Sequence, residues 1–142
     1  MKKEDLLDAG ALYFDHIQQG FDKYEYKILY MGEGKAFEYL KELWIKNGKN
    51  NSFVDFYYAT LEQSSKDMVL DTLNEEEQEY VKQLCKDGES IYFPMDEMLL
   101  RIITKLNSME ILFSTCYFTK EPRTLWGNFK EEYVEFTPKS VC

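Results

Sequence analysis

The chain contains a single histidine, His16, so a Ser-His-Asp or Cys-His machine must use it or do without. Its neighbour Asp15 does not orient the ring if the two lie on one helix, because adjacent helical residues point in different directions. His16 is expected at the surface, outside any catalytic role. Zinc sites draw on several Cys and His ligands, and the chain has neither His-x-x-x-His nor Cys-x-x-Cys. No catalytic residue, metal or cofactor is assigned.

The cysteines are Cys85, Cys116 and Cys142. Their odd number and wide spacing read as the reduced thiols of a cytoplasmic protein. Cys116 lies in an apolar run, where a thiol acts as a small hydrophobe with a raised pKa. Cys85 falls near a helix C-terminus, whose dipole disfavours a thiolate. Cys142 is the last residue, whereas a prenylation box needs its cysteine fourth from the end.

Acidic pairs are plentiful: Asp96-Glu97, Glu131-Glu132 and the cluster from Glu75 to Glu79. With 26 acidic residues, such pairs arise by chance and are expected on solvated faces. Gly32-Glu33-Gly34-Lys35 echoes an anion-binding turn without its full glycine spacing. The most distinctive segment runs from Thr119 to Phe129 and holds Pro122, Arg123, Trp126, Gly127 and Asn128. Trp, Arg and Tyr on a loop mark recognition surfaces. The plainer reading is a connection whose tryptophan plugs the end of the core. Tyr117, Arg123, Trp126, Asn128 and Tyr133 are the candidate binding residues.

These side chains must be carried by recognisable elements. Leu6, Leu7, Gly10, Tyr13, Phe14 and Ile17 predict one amphipathic helix over about 3–19, capped by Gly20, with His16 mid-helix. Residues 23–30 alternate and predict a half-buried strand with Tyr24, Tyr26, Ile28 and Tyr30 on its apolar side. A helix follows over about 35–46. Ser52 is read as the cap of a third helix that turns Phe53, Phe56, Tyr57 and Leu61 inward. A short fourth begins at Ser64 or Ser65. Asn74 with Glu77 forms a capping box for a helix reaching about Lys86. A short strand over 90–93, a helix over 95–106, a central strand over 111–118 and a strand over 133–136 complete the chain, with 119–130 as a long connection.

The fold class is therefore α+β: one domain over 1–142, with several amphipathic helices packed on a small, mostly antiparallel sheet. The charge sum is 17 − 26 = −9, divided −4 and −5 between the halves 1–71 and 72–142. That sign disfavours direct nucleic-acid binding and anionic membranes. No run of apolar residues is long enough to span a bilayer.

Three readings of function follow. The first is a non-catalytic protein-interaction or regulatory factor, because 23 aromatics exceed what so small a core obviously requires. Its partner is another protein or, most simply, a second copy in a homodimer. The second is a small-molecule-binding protein or enzyme with a Tyr, Arg and Asn-lined pocket near residues 117–133. The third is an acidic nucleic-acid mimic.

Overall fold

The structure is a computed structural model that describes residues 1–139; Cys142 lies outside the described residues. The first predicted helix is two helices, α1 (Lys3–Asp8) and α2 (Ile17–Lys23). The break falls at Gly10, whose φ of +92° is left-handed backbone that favours glycine. Gly10 N–H donates to the Leu7 carbonyl and Ala11 N–H to the Leu6 carbonyl, a Schellman closure of α1. Gly20, expected as the helix end, instead lies buried inside α2. His16 is exposed at the N-cap of α2 rather than in mid-helix.

The remaining elements are β1 (Glu25–Tyr30), α3 (Glu33–Asn47), β2 (Ser52–Asp55), α4 (Gln63–Thr72), α5 (Glu75–Leu84), β3 (Tyr92–Pro94), α6 (Glu97–Ser108), β4 (Thr115–Phe118), β5 (Arg123–Gly127) and β6 (Glu132–Thr137). The strands form one sheet in the order β1-β6-β5-β4-β2-β3, every neighbour antiparallel. This is the α+β class expected from the sequence, although six strands is a larger sheet than anticipated.

Three further expectations are corrected. The predicted third helix begins as strand β2, followed by a single 3₁₀ turn at Tyr58–Thr60. Phe53, Phe56 and Tyr57 mimic helical spacing, but β2 is held between β3 and β4, and these tertiary partners override the local pattern. The long connection over 119–130 contains β5, which joins β4 to β6 in a three-stranded meander. The central strand is shorter than expected, since 111–114 lie outside it.

Register assigns the sheet two faces, because directly paired residues share a side. Val54, Phe93, Cys116, Phe118, Leu125 and Tyr133 point to one face. There they join Leu40 and Trp44 of α3, Val69 of α4, Val81 of α5, and Leu99, Ile102 and Leu106 of α6 in the main core. Helix α6 buries seven of its twelve residues and so runs through the middle of this layer. Asp96 caps α6 by accepting from Leu99 N–H at 2.8 Å. The Asn74–Glu77 capping box forms as read from the sequence, and Glu77 also pairs with Lys105 of α6 at 2.7 Å.

The second face carries Tyr26, Ile28, Val134, Phe136, Thr124, Trp126, Tyr117 and Asp55, and the N-terminal segment lies across part of it. Tyr13 stacks on Tyr117, Phe14 meets Phe136 edge-on, and the Thr124 hydroxyl donates to the Leu12 carbonyl at 2.8 Å. Gly20 permits this approach: a Cβ there would come within 2.9 Å of the Phe14 ring and 3.0 Å of the Phe136 ring.

Candidate functional site

Where the segment after α1 passes over β2, β3 and β4, it leaves a cavity of about 180 Å³. Its walls include the side chains of Tyr13, Tyr57, Tyr92, Tyr117 and Trp126, with Asp15 exposed at the rim and Asp55 buried. Asp55 ends β2 opposite Tyr92 of β3 and is only 5 % exposed. The Thr115 N–H donates to its Oδ1 at 2.7 Å, and no ion pair is made to it among the described residues. Burial pushes the Asp55 carboxyl up to about 7, against the opposing pull of the Thr115 donors. A buried carboxyl held near neutrality in a concave site is a group that binding or proton transfer can use.

The tyrosines around it form a polar chain. The Tyr92 hydroxyl donates to the Tyr13 hydroxyl at 3.4 Å, and Tyr13 donates to Asp15 at 3.2 Å. Burial raises the phenols of Tyr13, Tyr57, Tyr92 and Tyr117 above their ordinary value, so all four remain donors at neutral pH. Lys3 sits at 3.4 Å from Asp15 and 4.9 Å from the centre of the Tyr13 ring. Behind the cavity, the buried Ser114 Oγ and both amide atoms of Asn107 have no hydrogen-bond partner. Asn107 lies flat against Gly127, where a Cβ would come within 2.0 Å of its Oδ1.

The five sequence candidates are divided between different places. Tyr117 and Trp126 line the cavity. Tyr133 is buried in the main core on the opposite face. Asn128 lies in the turn between β5 and β6, where its N–H donates to the Glu132 carbonyl at 2.9 Å. Arg123 faces away from the cavity and donates to Glu135 at 3.0 Å. Glu135, at 2 % exposure, also takes donors from the Tyr39 hydroxyl and from Lys27 at 3.1 Å. Burial alone would raise that carboxyl, but these three donors outweigh it and hold it below its ordinary value. Asp55, Tyr13, Tyr57 and Tyr92 were not anticipated. The sequence signal was Asp55 alternating with Phe53 on a strand, masked by the helical reading of that stretch.

Edge strand β1 is the second place where chemistry is presented. The alternation of β1 is as expected, but its apolar side is turned outward. Tyr26, Ile28 and Tyr30 are 53 %, 47 % and 65 % exposed, while Leu29 on the other side packs against the core. Met31 N–H donates to the Glu131 carbonyl at 2.9 Å, which sets the phase of the β1–β6 ladder. Odd-numbered residues of β1 therefore direct their backbone groups to β6, and Tyr26, Ile28 and Tyr30 direct theirs away from the sheet. The neighbouring ladder agrees: Asn128 N–H to the Glu132 carbonyl commits the even residues of β6 to β5.

Both described thiols are buried. Burial raises Cys85 to about 11, with Asp87 adding to the effect, and burial raises Cys116 further. Among the described residues no group of three or more His, Cys, Asp or Glu is arranged to hold a metal ion, and no helix is long and apolar enough to cross a membrane. Comparison with known proteins gave no matching family model, curated protein or solved structure.

Proposed function

We propose that the protein is an interaction factor that associates with a second copy of itself through the open edge of β1, in a reducing, cytoplasmic setting. The observation that carries this reading is the coincidence of two features on the same three residues. Tyr26, Ile28 and Tyr30 present both the outward backbone groups and the exposed apolar side chains of the edge strand. An exposed apolar edge is ordinarily avoided, because it templates pairing with another chain.

The edge is complementary to itself. An antiparallel pairing centred on Ile28 sets Ile28 against Ile28, and Tyr26 against Tyr30 twice. Each of these pairs exchanges two backbone hydrogen bonds, and all six side chains fall on one face. A shift by two residues in either direction keeps only two of these three hydrogen-bonded pairs within β1, and in one direction it also sets Lys27 directly against Lys27, a like-charge pair that disfavours it. Six backbone bonds at about 0.5–1.5 kcal/mol each contribute about 3–9 kcal/mol. Association costs about 4–15 kcal/mol in lost freedom, so the Tyr and Ile stripe must supply the surplus. The dimer is therefore expected to be weak and to depend on the stripe.

Light scattering on a sizing column at ~100 μM, above a micromolar dissociation constant, tests this. The wild type should run at twice 17.0 kDa. Ile28→Lys should run as a monomer with an unchanged circular dichroism spectrum, since residue 28 makes no ladder bond within the chain. A monomeric wild type, or a dimer undisturbed by Ile28→Lys, would overturn the reading.

A further inference from the structure

We propose that the cavity around Asp55 binds a small alkylammonium, its cationic nitrogen paired with the Asp55 carboxylate and flanked by tyrosine rings. This is independent of the β1 edge. The cavity is formed by the N-terminal segment and by β2, β3 and β4, whereas β1 lies at the other end of the sheet.

The charge argues for a cation. Asp55 is buried beside the cavity with no cationic side chain paired to it. Asp15 at the rim is also a carboxylate, held below its ordinary range by the Tyr13 hydroxyl and Lys3. An anionic ligand would meet two carboxylates and no guanidinium. Aromatic rings with a nearby carboxylate are the surroundings in which ammonium groups are recognised, because the ring faces carry partial negative charge. Lys3 over the Tyr13 ring shows that rim accepting an ammonium from within the chain.

The size argues for a small one. A cavity of about 180 Å³ is close to the ~150 Å³ that accommodates six carbon atoms in an engineered apolar cavity. That admits one short alkyl chain with its amine, and excludes a polyamine or a nucleotide.

The affinity should follow the ionisation of Asp55. Around it, Tyr13, Tyr57, Tyr92, Tyr117 and the Cys116 thiol are all raised and stay protonated, and Asp15 stays ionised. The comparison is made in a His16→Asn background, which places a favoured N-cap residue where His16 makes no capping hydrogen bond to α2. With Asp55 near 7, about nine-tenths is ionised at pH 8 and about one-tenth at pH 6, which is about a tenfold change in apparent affinity.

The probe is n-butylammonium, followed by calorimetry and by the fluorescence of Trp126, a wall of the cavity. Saturable binding is expected, about tenfold weaker at pH 6 than at pH 8. Uncharged n-butanol should not bind, and Asp55→Asn should lose the ammonium while keeping a carbonyl for Thr115 N–H. Tyr117→Phe, which preserves the ring, should retain most of the affinity. The proposal is overturned by three outcomes: no saturable response in the wild type, equal binding of butanol, or unchanged binding by a folded Asp55→Asn. None of these outcomes bears on the mass of the particle, so the edge reading stands or falls separately.

Discussion

Two buried carboxyls on opposite faces of one sheet meet opposite fates. Glu135 receives a phenol, a guanidinium and an ammonium, and is stabilised as the anion. Asp55 is held by Thr115 against the burial that disfavours its charge. Removing Glu135 leaves Arg123 and Tyr39 facing each other without an acceptor. Glu135→Ala is expected to destabilise by about 3 kcal/mol in urea unfolding. Asp55 acts with the reverse sign. Its folded value lies above its ordinary one, so its contribution is fully present below about pH 4 and is lost as pH rises through about 7. Relative to wild type, Asp55→Asn should gain on the order of 4 kcal/mol between pH 4 and pH 8. A difference that stays flat across that range would show that Asp55 is ionised at its ordinary pH.

At the scale of elements, α2 is docked by what Gly20 lacks. Gly20→Ala places a methyl against Phe14 and Phe136 and should cost about 1–3 kcal/mol, despite the better helix propensity of alanine. Asn74→Ala removes the acceptor for Glu77 N–H and should cost about 1 kcal/mol, read from the unfolding midpoint. Elements that depend on local chemistry were legible in the sequence: the Asn74 box, the alternation of β1, and the stripe of α6. Those that depend on distant partners were not. Strand β2 reads as a helix because its pairing partners in β3 and β4 lie 37 or more residues away in the chain. The cavity was legible only through Tyr117 and Trp126, since Asp55 and Tyr13 reach it from segments whose backbone course no local pattern records. The side of β1 that is exposed was hidden for the same reason. Alternation gives two faces, but the buried one is chosen by Leu29 and Lys27 meeting the core and Glu135.

For the molecule as a whole, the sheet is closed on one face by four helices, partly covered on the other by the N-terminal segment, and open along β1. Each copy carries a net charge of −9, so two copies repel at long range while their edges attract at short range. Raising salt from ~0.1 to ~1 M shortens the screening length to ~3 Å and should strengthen the dimer, as read by sedimentation. Association driven by ion pairs would weaken instead. The most direct measurement is amide hydrogen exchange of β1, residue by residue, against protein concentration. The amides of Tyr26, Ile28 and Tyr30 should exchange freely when dilute and become protected as concentration rises, while those of Lys27 and Leu29 stay protected throughout. Free exchange at all three edge positions at every concentration would contradict association through β1.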